Sequence, residues 1–250
     1  MLDLHSHILP GIDDGVETIE EARELARAAV AEGVTAIAAT PHVRADYPTS
    51  AEQMEAGVAA LRADFAAQEI PLEVLHGGEL DLDFLGGLSD DELRRFSLAR
   101  TETYLLVETP YRGWPLALES TLFDLRVRGF LTVLAHPERN AEVQGNPERL
   151  RPLVDAGVLC QVTGASLEGR LGRGPQKTAA ALVGAGLVHL LASDAHQPHV
   201  RAFGLQAGRD TIGDEALATY LTETVPAAIA AGAPLPPRPE VPRKRGLRLR

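Results

Sequence analysis

Cysteine is nearly absent. Cys160 stands alone in 250 residues, which excludes an internal disulfide and suits a reducing, intracellular setting. Positive charge is scarce too: 24 Lys and Arg face 35 Asp and Glu, for a formal net charge of −11. That balance argues against nucleic acid as the main partner, because phosphate backbones select basic surfaces. No apolar run is long enough to insert in a membrane, and Met1-Leu2-Asp3 opens without the basic and apolar regions of a signal peptide. The expected location is the cytoplasm. What the chain does have is a 45% hydrophobic content, enough to bury a core of the size of an α/β barrel.

The most informative stretch is Leu2-Asp3-Leu4-His5-Ser6-His7. Apolar and polar residues alternate, as on a strand, so His5 and His7 share one face and converge. Two imidazoles make a poor metal site by themselves. Further ligands must come from the rest of the chain.

Capping signals and periodicity then divide the chain into alternating strands and helices. Capping-box patterns begin at Thr18, Ser50 and Ser89. Further helices are predicted over 116–128, 146–156, 176–184 and 214–231. Strands are predicted from Leu2 and over 34–40, 72–75, 104–108, 130–135, 158–163 and 188–193. Seven strands, each followed by a helix, imply parallel pairing with right-handed crossovers in a closed or nearly closed barrel over 1–232. The segment 233–250 differs: it is rich in proline, and six Lys or Arg against one Glu follow from Arg238. It reads as a basic, disordered tail.

Metal-competent residues fall where six of the seven strands end: His5 and His7, His42, Glu79, Glu108, His136, then Asp194 and His196. A parallel barrel gathers those ends on one rim, where active sites are built. Asp14, from the turn Gly11-Ile12-Asp13-Asp14-Gly15, brings the set to five imidazoles and four carboxylates. That is too many for one zinc and suits two or three borderline metals, with manganese expected and iron or zinc as alternatives. Adjacent metals lower the pKa of a shared water, so the implied chemistry is hydrolysis. His76 and His189 have the wrong strand parity and His199 lies in a loop, so all three are read as structural.

Arg139 follows His136 by three residues and Arg201 follows His196 by five. Two guanidinium forks beside metals suggest a phosphoester, with pairing to a carboxylate such as Glu138 as the alternative. Gly164-Ala165-Ser166 offers backbone N–H groups to the same anion. A thiolate mechanism is excluded, because Cys160 sits inside a strand and position 166, six residues on, is serine rather than arginine. Asp3 shares strand parity with His5 and His7. It is expected to stand behind these ligands, its carboxylate accepting from one of their ring N–H groups.

These segments resemble the PHP (polymerase and histidinol phosphatase) superfamily. The matching motifs run from Asp3-Leu4-His5-Ser6-His7 through Asp13-Asp14-Gly15, Thr40-Pro41-His42, Gly77-Gly78-Glu79 and Leu106-Val107-Glu108. His136-Pro137-Glu138-Arg139 and Ser193-Asp194-Ala195-His196 complete the set. Within the superfamily they look most like the metal-dependent protein-tyrosine phosphatases of bacterial capsule and exopolysaccharide loci. The resemblance implies a distorted (β/α)7 barrel of the α/β class with three metals per chain. It implies His5, His7, Glu79 and Asp194 around one metal, Glu79, Glu108 and His136 around a second, and Asp14, His42 and His196 around the third. Arg139 and Arg201 match the arginines expected to bind phosphate, and with Asp14 they form the expected catalytic set. The implied substrate is the phosphotyrosine-rich tail of a membrane-associated bacterial tyrosine kinase, to which the protein would be recruited. The loops 44–47 and 111–114 are open to variation in substrate choice. Rival readings are a small-molecule phosphatase with a histidinol phosphate-like substrate, a nuclease, and a non-catalytic metal-binding module.

Overall fold

The computed structural model describes residues 1–199 and 201–240. It opens with β1 (Leu2–Ser6), α1 (Ile19–Ala31), β2 (Ala36–Ala39), β3 (His42–Val43), α2 (Ala51–Ala67), β4 (Glu73–Leu75), β5 (Glu79–Asp81) and α3 (Asp90–Phe96). There follow β6 (Tyr104–Glu108), α4 (Leu118–Val127), β7 (Leu131–Ala135), α5 (Ala141–Gly145), α6 (Arg151–Asp155) and β8 (Leu159–Thr163). Last come α7 (Gly164–Glu168), α8 (Arg173–Gly184), β9 (Leu190–Ala192), α9 (Leu205–Asp210), α10 (Glu215–Thr219) and α11 (Val225–Ala230). All three capping boxes form: Thr18 with Glu21, Ser50 with Gln53 and Ser89 with Glu92.

Every ladder is parallel. One sheet has the order β1-β2-β4 and the other β3-β5-β6-β7-β8-β9. The last strand returns to the first: Ser6 bridges Ala195, His7 N–H donates to Ala195 O at 2.8 Å and Asp194 N–H to His5 O at 2.9 Å. These contacts join the two sheets along one edge. The strands are almost wholly buried, with Leu4, Ile37, Val74, Leu80, Leu105, Val133, Val162 and Leu191 among the core residues.

Two expected strands end close to where the sequence places their ends, and a short strand that it does not predict follows each and positions the site. Pro41 has no N–H to give to a ladder, so the strand predicted over 34–40 ends at Ala39 and β3 follows it. The strand predicted over 72–75 likewise stops before Gly77-Gly78 and is followed by β5. Only glycine fits there: a Cβ on Gly78 would lie 2.7 Å from the Phe96 ring, and one on Gly77 2.9 Å from Thr40. After these paired kinks His42 and Glu79 stand side by side in register, and Asp81 pairs with Glu108.

Other differences have local causes. The helix predicted over 214–231 runs as α10, a π-helical stretch at Tyr220–Thr224, and α11. Pro226 lacks the N–H that a regular turn would need there, and a widened turn absorbs the misfit. Helices α5, α7 and α9 have only five or six residues, too few to leave a periodic signal.

Segment 233–240 is bound to the body rather than free of it. Tyr104 Oη donates to Ala233 O at 2.9 Å, Tyr220 Oη to Pro236 O at 3.0 Å, and the Arg238 guanidinium to Val188 O. The packed chain therefore extends past residue 232. The remainder of the expected disordered tail, 241–250, lies outside the described residues.

Candidate metal centre

The ends of the strands bring all nine expected ligands together. Ligand-capable atoms lie within 4.8 Å of one another in four overlapping groups: His7, Asp14, His42 and His196; His5, Glu79 and His136; His5, His7 and Asp194; and His42, Glu79 and Glu108. Glu79 is the hub. Its two oxygens lie 2.9 Å from His136 Nε2, 3.0 Å from His42 Nδ1, 3.3 Å from His5 Nε2 and 3.4 Å from His7 Nε2. Asp194 Oδ1 is 3.5 Å from both His5 Nε2 and His7 Nε2. Asp14 Oδ1 is 3.4 Å from both His42 Nε2 and His196 Nε2.

Two of these ligands leave their strands through left-handed backbone, His136 at φ 31° and Asp194 at φ 50°. Such turns cost non-glycine residues about 1–3 kcal/mol and recur at functional sites. Here each turn ends a strand and carries the side chain inward. The Asp13-Asp14-Gly15 turn is equally constrained, because a Cβ on Gly15 would lie 2.1 Å from His7 O.

The residues fit a multi-metal centre by a test internal to the fold. His5 Nε2, His7 Nε2, His42 Nδ1, Glu79 Oε2, Glu108 Oε1 and Asp194 Oδ1 are buried without an aligned hydrogen-bond partner, the 3.0 Å contact between His42 Nδ1 and Glu79 Oε2 included. An unpaired buried polar atom costs about 1–3 kcal/mol, so six in one place call for cations. Charge is badly balanced without them. Burial, then the charge of Glu79, pushes the Glu108 carboxyl up to about 8. Burial opposes ionisation of Glu79 and Asp194, yet His5 holds both carboxyls well below their usual range, aided by His136 at Glu79 and Arg201 at Asp194. Burial also keeps the imidazoles of His136 and His196 at about 4, the neutral form that ligates metal.

Behind the ligands stand residues that sequence reasoning missed. Asp13 Oδ2 lies 2.7 Å from His7 Nδ1 and accepts from His42 N–H at 2.9 Å, while Asp13 Oδ1 accepts from Gly15 N–H at 3.0 Å. Gln161 Oε1 lies 3.0 Å from His5 Nδ1 and accepts from His136 N–H at 3.1 Å. Both contacts turn Nε2 of a histidine toward the cluster. The doublet Asp13-Asp14 was the available signal for Asp13, and Gln161 left none.

Asp3 needs correction. It is fully buried, but its partners are Ser193 N–H at 2.9 Å, Ser193 Oγ at 2.5 Å and His5 backbone N–H at 3.3 Å. The ring nitrogens expected to reach it are taken by Gln161 and Asp13. Asp3 ties β1 to the residue preceding Asp194, and its support for the ligands runs through the backbone.

The two arginines do meet at the rim. Arg139 Nη1 lies 2.7 Å from Asp194 Oδ2, and Arg201 pairs with the same oxygen while its Nη1 lies 2.6 Å from His196 Nε2. Glu138 is not their partner. It is buried, accepts from Thr163 N–H at 3.0 Å and Ser166 Oγ at 2.6 Å, and burial pushes its carboxyl up to about 7. Gly164, Ala165 and Ser166 form the buried first turn of α7. None of the four ligand groups includes His76, His189 or His199. Cys160 is buried, and burial pushes its thiol up to about 12.

Fold and site together define a parallel α/β protein built around a cluster of histidines and carboxylates able to hold several metals. The family profile described as "Capsular polysaccharide synthesis, CpsB/CapC" matches residues 1–226, and the chain belongs to that family. It is 38% identical over 208 residues to the tyrosine-protein phosphatase YwqE of Bacillus subtilis (strain 168), covering 82% of this chain and 81% of the relative. It is 29% identical over 220 residues to the tyrosine-protein phosphatase CpsB of Streptococcus pneumoniae, covering 85% and 89%. Its structure superposes on one from the crystal structures of YwqE and CpsB, described as unique metal-dependent tyrosine phosphatases. The TM-score is 0.86 at 35% identity, over 97% of this chain and 100% of the other.

Proposed function

We propose that this protein is a metal-dependent phosphatase of protein phosphotyrosine, acting in the cytoplasm on the tail of a membrane-associated bacterial tyrosine kinase that controls exopolysaccharide synthesis. The observation that carries the reading is the set of six unpartnered buried donor atoms facing one another beside two arginines. The names of the relatives support it.

His5, His7, Glu79 and Asp194 would hold one metal, Glu79, Glu108 and His136 a second, and Asp14, His42 and His196 a third. Manganese suits this mixture of imidazole and carboxylate. Bound there, the metals supply Lewis-acid polarisation of phosphoryl oxygens and a water of lowered pKa. Arg139 and Arg201 share one carboxylate oxygen of Asp194, and a phosphate dianion beside it competes for both guanidinium forks. Asp14 stays ionised, since His196 bonds it and holds its carboxyl well below the usual range. Ionised, it can serve beside His42 and His196 as a ligand of the third metal. A phenolate leaves more readily than an alkoxide, its conjugate acid having a pKa of about 10, so aryl esters need less protonation.

Metal analysis of purified protein, run beside hydrolysis of a phosphotyrosine peptide, tests the reading. About three divalent ions per chain are expected, with turnover lost on exhaustive chelation and restored by manganese. Turnover in metal-free protein refutes the metal mechanism. Stoichiometric metal without turnover leaves a binding module.

A further inference from the structure

The four tyrosines divide into two pairs. Tyr104 and Tyr220 use their hydroxyls to fasten segment 233–240 to the end of the sheet remote from the ligands. Tyr47 and Tyr111 sit at the metal cluster, on two different loops, and each lies nearly parallel to a ligand imidazole but offset from it. The Tyr47 ring stacks on His42 at 6.0 Å between centroids with 18° between planes, and the Tyr111 ring on His136 at 5.9 Å and 27°. A guanidinium covers each ring, Arg44 at 5.3 Å from the Tyr47 centroid and Arg139 at 4.7 Å from that of Tyr111.

The two rings therefore bracket the centre. His42 and His136 approach opposite oxygens of Glu79. Glu108 is approached by Arg44 at 3.5 Å from one side and by His136 at 3.7 Å from the other. Tyr111 is 43% exposed although it touches a buried ligand, so its outer edge faces the solvent from which substrate arrives. Arg139 ties Tyr111 to the proposed phosphate site, because one guanidinium both covers the ring and pairs with Asp194. The leaving group of a phosphoester held by Arg139 must point away from the buried ligands, toward the exposed side of the cluster where Tyr111 stands.

We propose that Tyr47 and Tyr111 are the specificity-determining residues that select an aryl over an alkyl leaving group, by stacking on the ring of the substrate as it departs. This rests on the phosphatase reading above and adds the residues that choose the ester. An aromatic pair is worth about 0.5–1.5 kcal/mol beyond burial, or about 2- to 10-fold for each tyrosine. An alkyl ester has no ring to stack and forgoes that contribution.

The test compares kcat/KM for a phosphotyrosine peptide and for the same peptide carrying phosphoserine, in the manganese-loaded full chain. The quantity read is the aryl-to-alkyl ratio. Tyr111→Ala and Tyr47→Ala should each lower that ratio about 2- to 10-fold and their combination about 4- to 100-fold, with metal content unchanged. Tyr111→Phe should restore most of the ratio, since stacking needs the ring and not the hydroxyl. Equal losses on both peptides, or no loss on either, overturn the inference while leaving the phosphatase reading intact. Absence of wild-type turnover on both peptides overturns the reading and this inference with it.

Discussion

The two ends of the strands treat polar groups in opposite ways. At the end where the strands begin, polar groups are matched. Tyr104 and Tyr220 bond the backbone of 233–236, the Met1 amino group donates to Gly33 O at 2.8 Å, and His189 Nδ1 accepts from Cys160 N–H at 3.0 Å. At the other end, six donor and acceptor atoms are buried without partners and two ligands sit in left-handed backbone. The first arrangement stabilises the fold as it stands. The second raises the free energy of the metal-free protein and is relieved by cations, so stability and function are concentrated at opposite ends.

The sharpest way to break this comparison is to remove a ligand. His136→Ala or Glu108→Ala should abolish most phosphoester hydrolysis, by more than about 100-fold, while the metal-free protein loses little stability. For Glu108 the metal-free variant should be at least as stable as wild type, since a crowded, desolvated carboxyl is removed. Hydrolysis assays with thermal melts of chelated protein check this, and a large drop in melting temperature would contradict it.

Arginines come next. Arg139→Ala and Arg201→Ala should each cost on the order of 2–4 kcal/mol of transition-state stabilisation, measured as kcat/KM. Lysine should recover only part, because a point charge does not reproduce the fork. Full activity in both alanine variants would move the phosphate elsewhere.

Smaller effects distinguish the residues behind the ligands. Asp13→Asn should weaken metal affinity about 10–100-fold, since the carboxylate fixes the His7 ring, with excess metal restoring most of the rate. Asp3→Asn should change affinity less, because Asp3 bonds only backbone and Ser193. Calorimetric titration of manganese into both variants gives the order, and a reversal would restore Asp3 as the direct support.

At the matched end the expectation is a pH effect on stability. Burial, then the charge of Arg238, lowers the His189 imidazole from 6.5 to about 4. The folded state binds fewer protons than the unfolded one between those values. This contribution, at most about 3 kcal/mol, is full above pH 6.5 and is lost as pH falls toward 4. His189→Gln, which keeps an acceptor for Cys160 N–H, should flatten the slope in urea titrations between pH 6.5 and 4. An unchanged slope would assign the acid sensitivity to other groups.

Much of this was legible from residue order. Ligand positions could be read because a parallel strand delivers its last residues to one rim, so His5, His7, Glu108 and His136 needed only strand assignments. Capping boxes marked three helix starts because the motif is local. The short strands β3 and β5, beyond Pro41 and Gly77-Gly78, were missed because two or three residues are too few for a period. The place of Gln161 was hidden by its being a polar residue in an apolar strand, where nothing nearby names its partner.

The sequence by itself determined the α/β alternation and singled out the nine candidate ligands and the two arginines, since periodicity and motif spacing are properties of neighbours along the chain. Only the tertiary structure decided who bonds whom. It gave Asp13 rather than Asp3 to the His7 ring, Asp194 rather than Glu138 to the arginines, and Tyr47 and Tyr111 to opposite sides of the ligands. Those pairings join residues as many as 55 positions apart. They depend on strand register and on two kinks, neither of which is written in any one segment.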